Sequence, residues 1–398
     1  MIKHSGKDED DSRACVQETM DKLSRALAIS PPGHKLLSYI LARQNREFNK
    51  MVPALSAPRQ VFWEVTHACN LRCLHCVTSS GSKDNDELDS QEAFALIDRL
   101  ADMKVFYLII TGGEPFLRPD ILELLRHIST KNMMVKVDTN GTLIDDDAVD
   151  ELLSLRLSSI QVSIDGIGGS HDRFRGKKGT YKAACGTIER LIKKGIPTNI
   201  TTTVTRQNLS GLNAVIDLAV RLHCNGITIN PFVPVGRGLD NQGLKLDGED
   251  YYRLYQTIHT RARELAGIIT ISTDIGFTFL FEPSLPEMRP AKYMGCGVGY
   301  DTLSIGAGGT VYPCPFLHEY PLGNIRDVSL EEIWDDASFL KSLRPLHKRD
   351  MGGECKNCKH ALRKCTGGCR ARAYHEYGDL KAPDPACIFS KIKSGDQR

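Results

Sequence analysis

The stretch Val61-Phe62-Trp63-Glu64-Val65-Thr66-His67-Ala68-Cys69-Asn70-Leu71-Arg72-Cys73-Leu74-His75-Cys76 decides how the rest of the chain is read. Residues 61–66 are mostly apolar, and the run predicts a short strand. Three cysteines follow at once with the spacing Cys-x3-Cys-x2-Cys. Thiolates are the usual ligands of iron–sulfur clusters, and three this close would hold three irons of a four-iron cluster and leave the fourth open. The competing reading is a structural zinc site, which wants four ligands; His67 or His75 would complete a Cys3His set.

Beyond this stretch, strand-like and helix-like segments alternate. Apolar or β-branched runs at 105–110, 134–139, 159–164, 198–204 and 226–230 predict further strands. Helices are expected at 90–103, behind an Asp89/Ser90 cap, and at 119–129, with Pro119 in the first turn. Others follow at 145–155, 178–194, 209–222 and 249–266. Six β/α units predict an α/β fold of parallel strands covered by helices, a partial (β/α)6 TIM-like barrel rather than a closed barrel of eight. In such barrels, chemistry sits in loops after the C-terminal ends of strands. The cysteine loop follows the first strand, Gly112-Gly113-Glu114-Pro115 the second, Thr139-Asn140-Gly141 the third and Ser163-Ile164-Asp165-Gly166 the fourth. Glycines allow close backbone approach to a ligand, and Glu114 offers an acceptor for an ammonium group.

The chain has 398 residues, 41% hydrophobic and 25% charged, which is a globular composition. Lys+Arg 51 against Asp+Glu 49 leaves a formal charge of +2, too little to argue for nucleic acid or a membrane surface as partner. No apolar run reaches membrane-helix length, and the polar first residues carry no signal-peptide core, so a soluble, cytoplasmic protein is expected. The 13 cysteines are clustered, which in a reducing compartment points to metal or redox chemistry. Seven lie in the tail: Cys296-x12-Gly309-x4-Cys314, then Cys355-x2-Cys358-x6-Cys365-x3-Cys369-x17-Cys387. Four of these would make a zinc ribbon, but seven exceed one tetrahedral site. Cys15, Cys185 and Cys224 match no motif and read as small packed or surface residues. Three regions are expected: a helical extension (1–58), the barrel (59–285) and a metal-organised tail (286–398). Basic residues crowd the tail, among them Lys341, Arg344, Lys356, Lys359, Arg370 and Arg372. They read as a solvated surface balancing cluster charge, with a dock for an acidic peptide or a carboxylated ring as the sharper alternative.

With these motifs, the sequence resembles the radical S-adenosylmethionine (SAM) enzymes over about residues 60 to 390. The resemblance implies that Cys69, Cys73 and Cys76 hold a [4Fe–4S] cluster whose open iron is chelated by SAM. It implies that Gly112, Gly113 and Glu114 bind the methionine amino group, and that Ser163 and Arg175 contact its carboxylate and ribose. Asn140 would lie near the same ligand and His75 by the adenine. Reduction of the cluster would cleave SAM to methionine and a 5′-deoxyadenosyl radical, which abstracts hydrogen from substrate. The tail looks like a SPASM domain with two auxiliary iron–sulfur clusters. Family topology would give one cluster Cys355, Cys358, Cys365 and Cys387, and the other only Cys296, Cys314 and Cys369, because Thr302 and Leu303 stand where many relatives carry a further cysteine. The third tail spacing is six residues where five is usual. Within the family, the cysteine loop with Thr78-Ser79-Ser80-Gly81 looks most like mycofactocin-type peptide maturases. Gly367-Gly368-Cys369-Arg370-Ala371-Arg372 and Asp384-Pro385-Ala386-Cys387 are also similar to siroheme-pathway heme synthases. The implied function is oxidative modification, by decarboxylation or crosslinking, of a ribosomal peptide, with tetrapyrrole side-chain decarboxylation as the alternative. A flavodoxin or ferredoxin would donate electrons, and a separate peptide-binding chaperone would present the substrate. From another class, an iron–sulfur electron carrier or a zinc-stabilised binding module would have no need of Glu114 and Arg175.

Overall fold

The computed structural model describes residues 56–273, 296–344, 350–361, 365 and 367–389. The expected N-terminal helical extension up to residue 55, Cys15, and the boundary near 285 lie outside the described residues.

Among the described residues ten strands form one sheet in the order β10-β9-β8-β1-β2-β3-β4-β5-β6-β7. The barrel strands are β1 (Gln60–Glu64), β2 (Tyr107–Thr111), β3 (Met134–Thr139), β4 (Leu157–Ser163), β5 (Thr198–Val204) and β6 (Gly226–Pro231). They pair in parallel with their sequence neighbours, as expected of β/α units. Connecting them are α1 (Ser90–Asp102), α2 (Ile121–Ser129), α3 (Asp146–Leu153), α4 (Gly169–Arg175), α5 (Thr180–Lys193) and α6 (Leu212–Arg221), and α7 (Gly248–Glu264) leads to β7 (Thr270–Ser272). The helix starts follow local chemistry. Asp89 accepts the Glu92 amide at 2.9 Å while Glu92 returns to the Asp89 amide at 3.0 Å, a capping box that opens α1. In α2, Ile121, Leu124, Leu125 and Ile128 recur at helical spacing and all are buried.

Side chains on the strands sort by the two-residue period. Val61 and Trp63, Leu108 and Ile110, Val135 and Val137, Ile160 and Val162 join one buried apolar cluster with the helices. The opposite, lumen-side positions are largely polar. Lys136 Nζ lies 3.2 Å from Asp138 Oδ1, and Thr228 donates to Gln161 Oε1 at 3.1 Å across β4 and β6. Closed barrels fill this space with bulky branched residues. A polar lumen suits an open barrel that admits a ligand.

The sheet does not end with the six barrel strands. β8 (Thr302–Ile305) pairs in parallel with β1, and the antiparallel strands β9 (Thr310–Tyr312) and β10 (Gly323–Asn324) follow it. The tail adds α8 (Leu330–Asp336), α9 (Ser338–Leu343) and α10 (Arg370–Tyr377). Its second apolar cluster is small: Val298, Cys314, Leu317, Leu343, Met351 and Ala371, with Cys296, Cys355 and Cys369 packed against it. Sulfur thus takes up much of a core too small to hold this segment by apolar burial alone.

Leu124→Ala, at a fully buried position of α2, is expected to cost about 2–5 kcal/mol, while Leu153→Ala, 51% exposed, should stay within about 0.5 kcal/mol of wild type. Denaturant unfolding of the two proteins measures both; equal effects would contradict the helix-to-sheet packing described here.

Candidate functional site

The loop after β1 carries Cys69, Cys73 and Cys76 and has almost no regular structure of its own, so its backbone groups need partners elsewhere. The Cys69 amide donates to Gly81 O at 2.8 Å, Arg72 to Arg175 O at 3.3 Å and Leu74 to Phe174 O at 3.1 Å. From the segment after β6, Arg237 donates to Cys73 O at 2.9 Å and to Ser79 O and Ser80 O at 3.0 and 2.7 Å. Asn241 donates to Leu74 O at 3.0 Å. Gly236, with φ +51°, is needed there: a Cβ would stand 2.1 Å from Val77 O. The cysteine loop is therefore held by the ends of α4 and β6.

The loop after β2 lies directly against it. Gly113 donates to Thr66 O at 2.7 Å and Glu114 to Ala68 O at 2.8 Å. A Cβ on Gly113 would fall 2.0 Å from Ala68 O, so one use of this glycine is contact between two loops of the chain itself. Glu114 is fully buried. Its Oε1 accepts from Phe116 N–H at 3.2 Å and Thr139 Oγ1 at 2.7 Å, and its Oε2 from Asn140 N–H at 2.7 Å. Burial raises its pKa, against the pull of these donors. One acceptor position, on Oε2, is left over. Asn140 is similarly engaged, with Oδ1 receiving both the Thr142 amide and hydroxyl and Nδ2 donating to Asn70 Oδ1. Both residues lock the second and third loops together.

Arg175 ends α4, buried, with Nη1 3.7 Å from Cys73 Sγ and Nη2 2.5 Å from Asp165 Oδ2. Asp165 is the residue that sequence reading missed, although it stands in the quoted Ser163-Ile164-Asp165-Gly166. Burial disfavours its charged form, yet Arg175 and then His75 hold its pKa below the usual carboxylate value. His75 Nε2 lies 3.7 Å from the same Oδ2, and its ring stacks on Phe174 at 4.5 Å. Ser163 is half-buried at the C-terminal end of β4, one residue before the Ile164 amide that donates to Thr201 O. Arg237 also went unnoticed, because its acceptors are backbone carbonyls far away in the chain.

The donor set fits a metal cluster. Burial pushes the Cys69 thiol up to about 11 and raises that of Cys73; binding metal would release those protons. Nε of Arg175 and Nδ1 of His75 are buried with no hydrogen-bond partner among the described residues. His67 is committed elsewhere, its Nε2 2.7 Å from Thr78 O and its Nδ1 3.3 Å from Asp84, which counts against a Cys3His zinc shell. Among the described residues no three such side chains are drawn together as a single ion would require, so the fit rests on the donor set and its loop.

The tail thiols fall into two sets by their electrostatic neighbours. The buried Cys314 thiol, raised by burial, feels Cys369 and Cys296. Burial pushes Cys365 up to about 12, and Cys387, Cys355 and Cys358 act in the same direction. Cys387, pushed up to about 11 by burial, feels Cys355 and Cys358. The sets are Cys296, Cys314 and Cys369, and Cys355, Cys358, Cys365 and Cys387. The twelve described cysteines are all free thiols; Cys224 is buried and Cys185 half-buried.

Comparison with known proteins agrees. Residues 63–219 match the radical SAM superfamily, and residues 296–359 match an iron–sulfur cluster-binding domain, SPASM. An AdoMet-dependent heme synthase of Methanosarcina barkeri is 32% identical over 85% of this chain and 99% of its own length. The chain belongs to the radical SAM superfamily. A mycofactocin maturase of Mycobacterium tuberculosis is 31% identical over 84% of each chain. In fold, SuiB of Streptococcus suis bound to S-adenosylmethionine is similar with a TM-score of 0.69, at 20% identity over 93% of this chain and 86% of that one. The protein is therefore a radical SAM/SPASM enzyme of the [4Fe–4S]- and SAM-dependent class. Among the described residues no helix is long and apolar enough to cross a membrane.

His171, on α4, supplies a pH test. Its Nδ1 accepts the Asp165 amide at 3.1 Å, which requires the neutral ring. Burial, then Arg175, lowers its pKa to about 4. The unfolded ring, with a pKa of about 6.5, binds a proton that the folded one refuses. Its share of stability is then complete above about pH 6.5 and is lost as the pH falls toward 4. Denaturant unfolding from pH 7 to 4.5 should show a shallower decline in His171→Gln than in wild type; parallel curves would remove His171 from this account.

Proposed function

We propose that Cys69, Cys73 and Cys76 hold the SAM-binding [4Fe–4S] cluster, and that the enzyme uses it to modify a ribosomal peptide oxidatively, by decarboxylation or crosslinking. Supporting this reading is one observation above the others: three buried or half-buried thiols on the loop after β1, with the Arg175 guanidinium beside Cys73. When bound, the cluster and SAM supply a one-electron cleavage that yields methionine and a 5′-deoxyadenosyl radical. The residues of the chain provide everything around that event. Gly112, Gly113 and the free acceptor position of Glu114 face the SAM amino group; Ser163 and Arg175 take its carboxylate and ribose. Asn140 holds the third loop beside that ligand, and His75, stacked on Phe174, sits by the adenine. Asp165 keeps Arg175 charged and oriented, and Arg237 ties the cysteine loop down. In the tail, Cys355, Cys358, Cys365 and Cys387 hold one auxiliary cluster, and Cys296, Cys314 and Cys369 the other. The peptide reading draws on the relative named as a mycofactocin maturase. A flavodoxin or ferredoxin supplies electrons, and a peptide-binding chaperone is a separate chain.

A second reading, decarboxylation of a tetrapyrrole side chain, is favoured by the heme synthase relative, which the chain matches over 99% of its length. Substrates of both kinds carry carboxyl groups, and the polar lumen with its Lys136–Asp138 pair suits either.

The test is reconstituted protein with dithionite and SAM. Wild type should release 5′-deoxyadenosine and Cys73→Ala should release none; retained cleavage in that variant would sink the cluster assignment, and no cleavage by iron-loaded wild type would favour an electron carrier. A precursor peptide encoded beside the gene and iron-coproporphyrin III are then offered in parallel. Mass loss from the peptide upholds the first reading and loss from the porphyrin the second. SAM cleavage with neither substrate modified would reject both.

A further inference from the structure

Lys341, Lys356 and Lys359 of the tail are exposed, as their sequence suggests, but its arginines Arg344, Arg370 and Arg372 are not a solvated surface. Arg344 stacks over Trp334 at 4.7 Å and donates to Gly299 O at 2.7 Å, while Arg370 and Arg372 on α10 are 4% and 5% exposed. Burying a guanidinium costs several kcal/mol unless an opposite charge compensates it. Arg372 has that compensation. Its Nε and Nη2 meet the two carboxylate oxygens of Asp384 at 3.0 and 2.7 Å, and Asp384 also accepts the Cys369 amide at 2.6 Å.

Arg370 does not. Its Nη1 donates to Leu380 O and Ala382 O at 2.9 and 2.8 Å, and its Nη2 to Gly367 O. Its Nε is buried with no partner, and no carboxylate pairs with it among the described residues. The Gly367 that it grips donates its own amide to Cys365 Sγ at 3.3 Å. Of the groups acting on the Cys355 sulfur, Arg370 is the cation, opposed by Cys358, Asp384 and Glu354. A buried guanidinium without a counter-charge thus grips the residue whose amide meets Cys365, and four thiolates on a cluster are the anion it lacks.

We propose that Arg370 is a redox-tuning residue for the cluster held by Cys355, Cys358, Cys365 and Cys387, its unpaired buried charge raising that cluster's reduction potential. This rests on the reading of the four cysteines as a cluster site. Cluster potentials follow net charge and the hydrogen bonds around the sulfurs. At Cys369 of the three-cysteine set the cation that acts is Arg372, which Asp384 offsets, whereas Arg370 has no such carboxylate partner among the described residues. The step concerned is a single-electron transfer with no bond made or broken: the cluster gains one electron, from dithionite in a titration or, in turnover, from the substrate radical, which is oxidised as it gives the electron up. Arg370 makes the four-thiolate site the better acceptor of that electron.

The test uses the full reconstituted chain, potentiometric titration followed by electron paramagnetic resonance, and iron per chain. Cys365→Ala identifies which midpoint belongs to the four-cysteine set; unchanged iron and an unchanged set of midpoints in that variant would reject the cluster reading itself. Arg370→Gln should keep its iron and lower that one midpoint by at least a tenfold change in equilibrium constant, 59 mV for a one-electron couple, with the others unmoved. Arg370→Lys, which keeps the charge, should stay near wild type. An unmoved midpoint in an iron-replete Arg370→Gln overturns the proposal. Should Arg370→Gln lose the cluster, retention of iron and midpoint by Arg370→Lys upholds the role of the charge; loss in both overturns it in favour of a purely structural arginine.

Discussion

A buried carboxylate, Asp165, is the joint on which the site depends. Oδ1 accepts the Thr203 amide from β5 at 2.8 Å, and Oδ2 meets Arg175 from α4. The Asp165 carbonyl takes Asn208 at 3.0 Å, and its amide meets His171. One residue thus ties β4, β5 and α4 together, and α4 in turn carries the carbonyls of Phe174 and Arg175 that hold the cysteine loop. Removing one member of such a buried ion pair leaves the other charge stranded, which typically costs about 3–5 kcal/mol. The sulfurs would then lose their positions along with the arginine that faces them.

Between barrel and tail lies a second polar junction. Glu64, at the end of β1, faces His318 with 3.3 Å between Oε1 and Nε2, and the His318 ring lies on Tyr312 of β9 at 4.4 Å. Burial, then Glu64, raises the Tyr312 pKa. Gly306 leaves room here, since a Cβ would already touch the Tyr312 ring at 3.3 Å. Barrel and tail therefore share a wall of ionisable groups.

How much of this was legible in the sequence depended on whether the cause was local. β3 and β5 were read to the residue, because two-residue alternation is a property of adjacent positions. The start of α1 was announced by Asp89, and the three barrel cysteines by their spacing. The seven-residue α4, between Gly168 and Gly176, carries too little periodicity to be seen, and the three-residue β7 fares no better. Asp165 stood only as one member of the loop after the fourth strand, since the partners that explain it come from other elements. Arg370 and Arg372 looked solvated because carbonyl acceptors leave no mark on composition and Asp384 is twelve residues from Arg372.

The pairing of β8 with β1 has a consequence for how such a chain can be cut. Residues 60–63 form a ladder with 302–305, so the tail covers a row of β1 amides and carbonyls that would otherwise be a bare sheet edge. A fragment ending after β7 would expose that edge beside Phe62 and Trp63 and would tend to self-associate rather than persist as a free barrel. The tail is thus not a detachable accessory, and a split protein would reassemble only if both pieces folded together. Swapping the tail between relatives would succeed only where the donor strand keeps the register of Gln60 with Thr302.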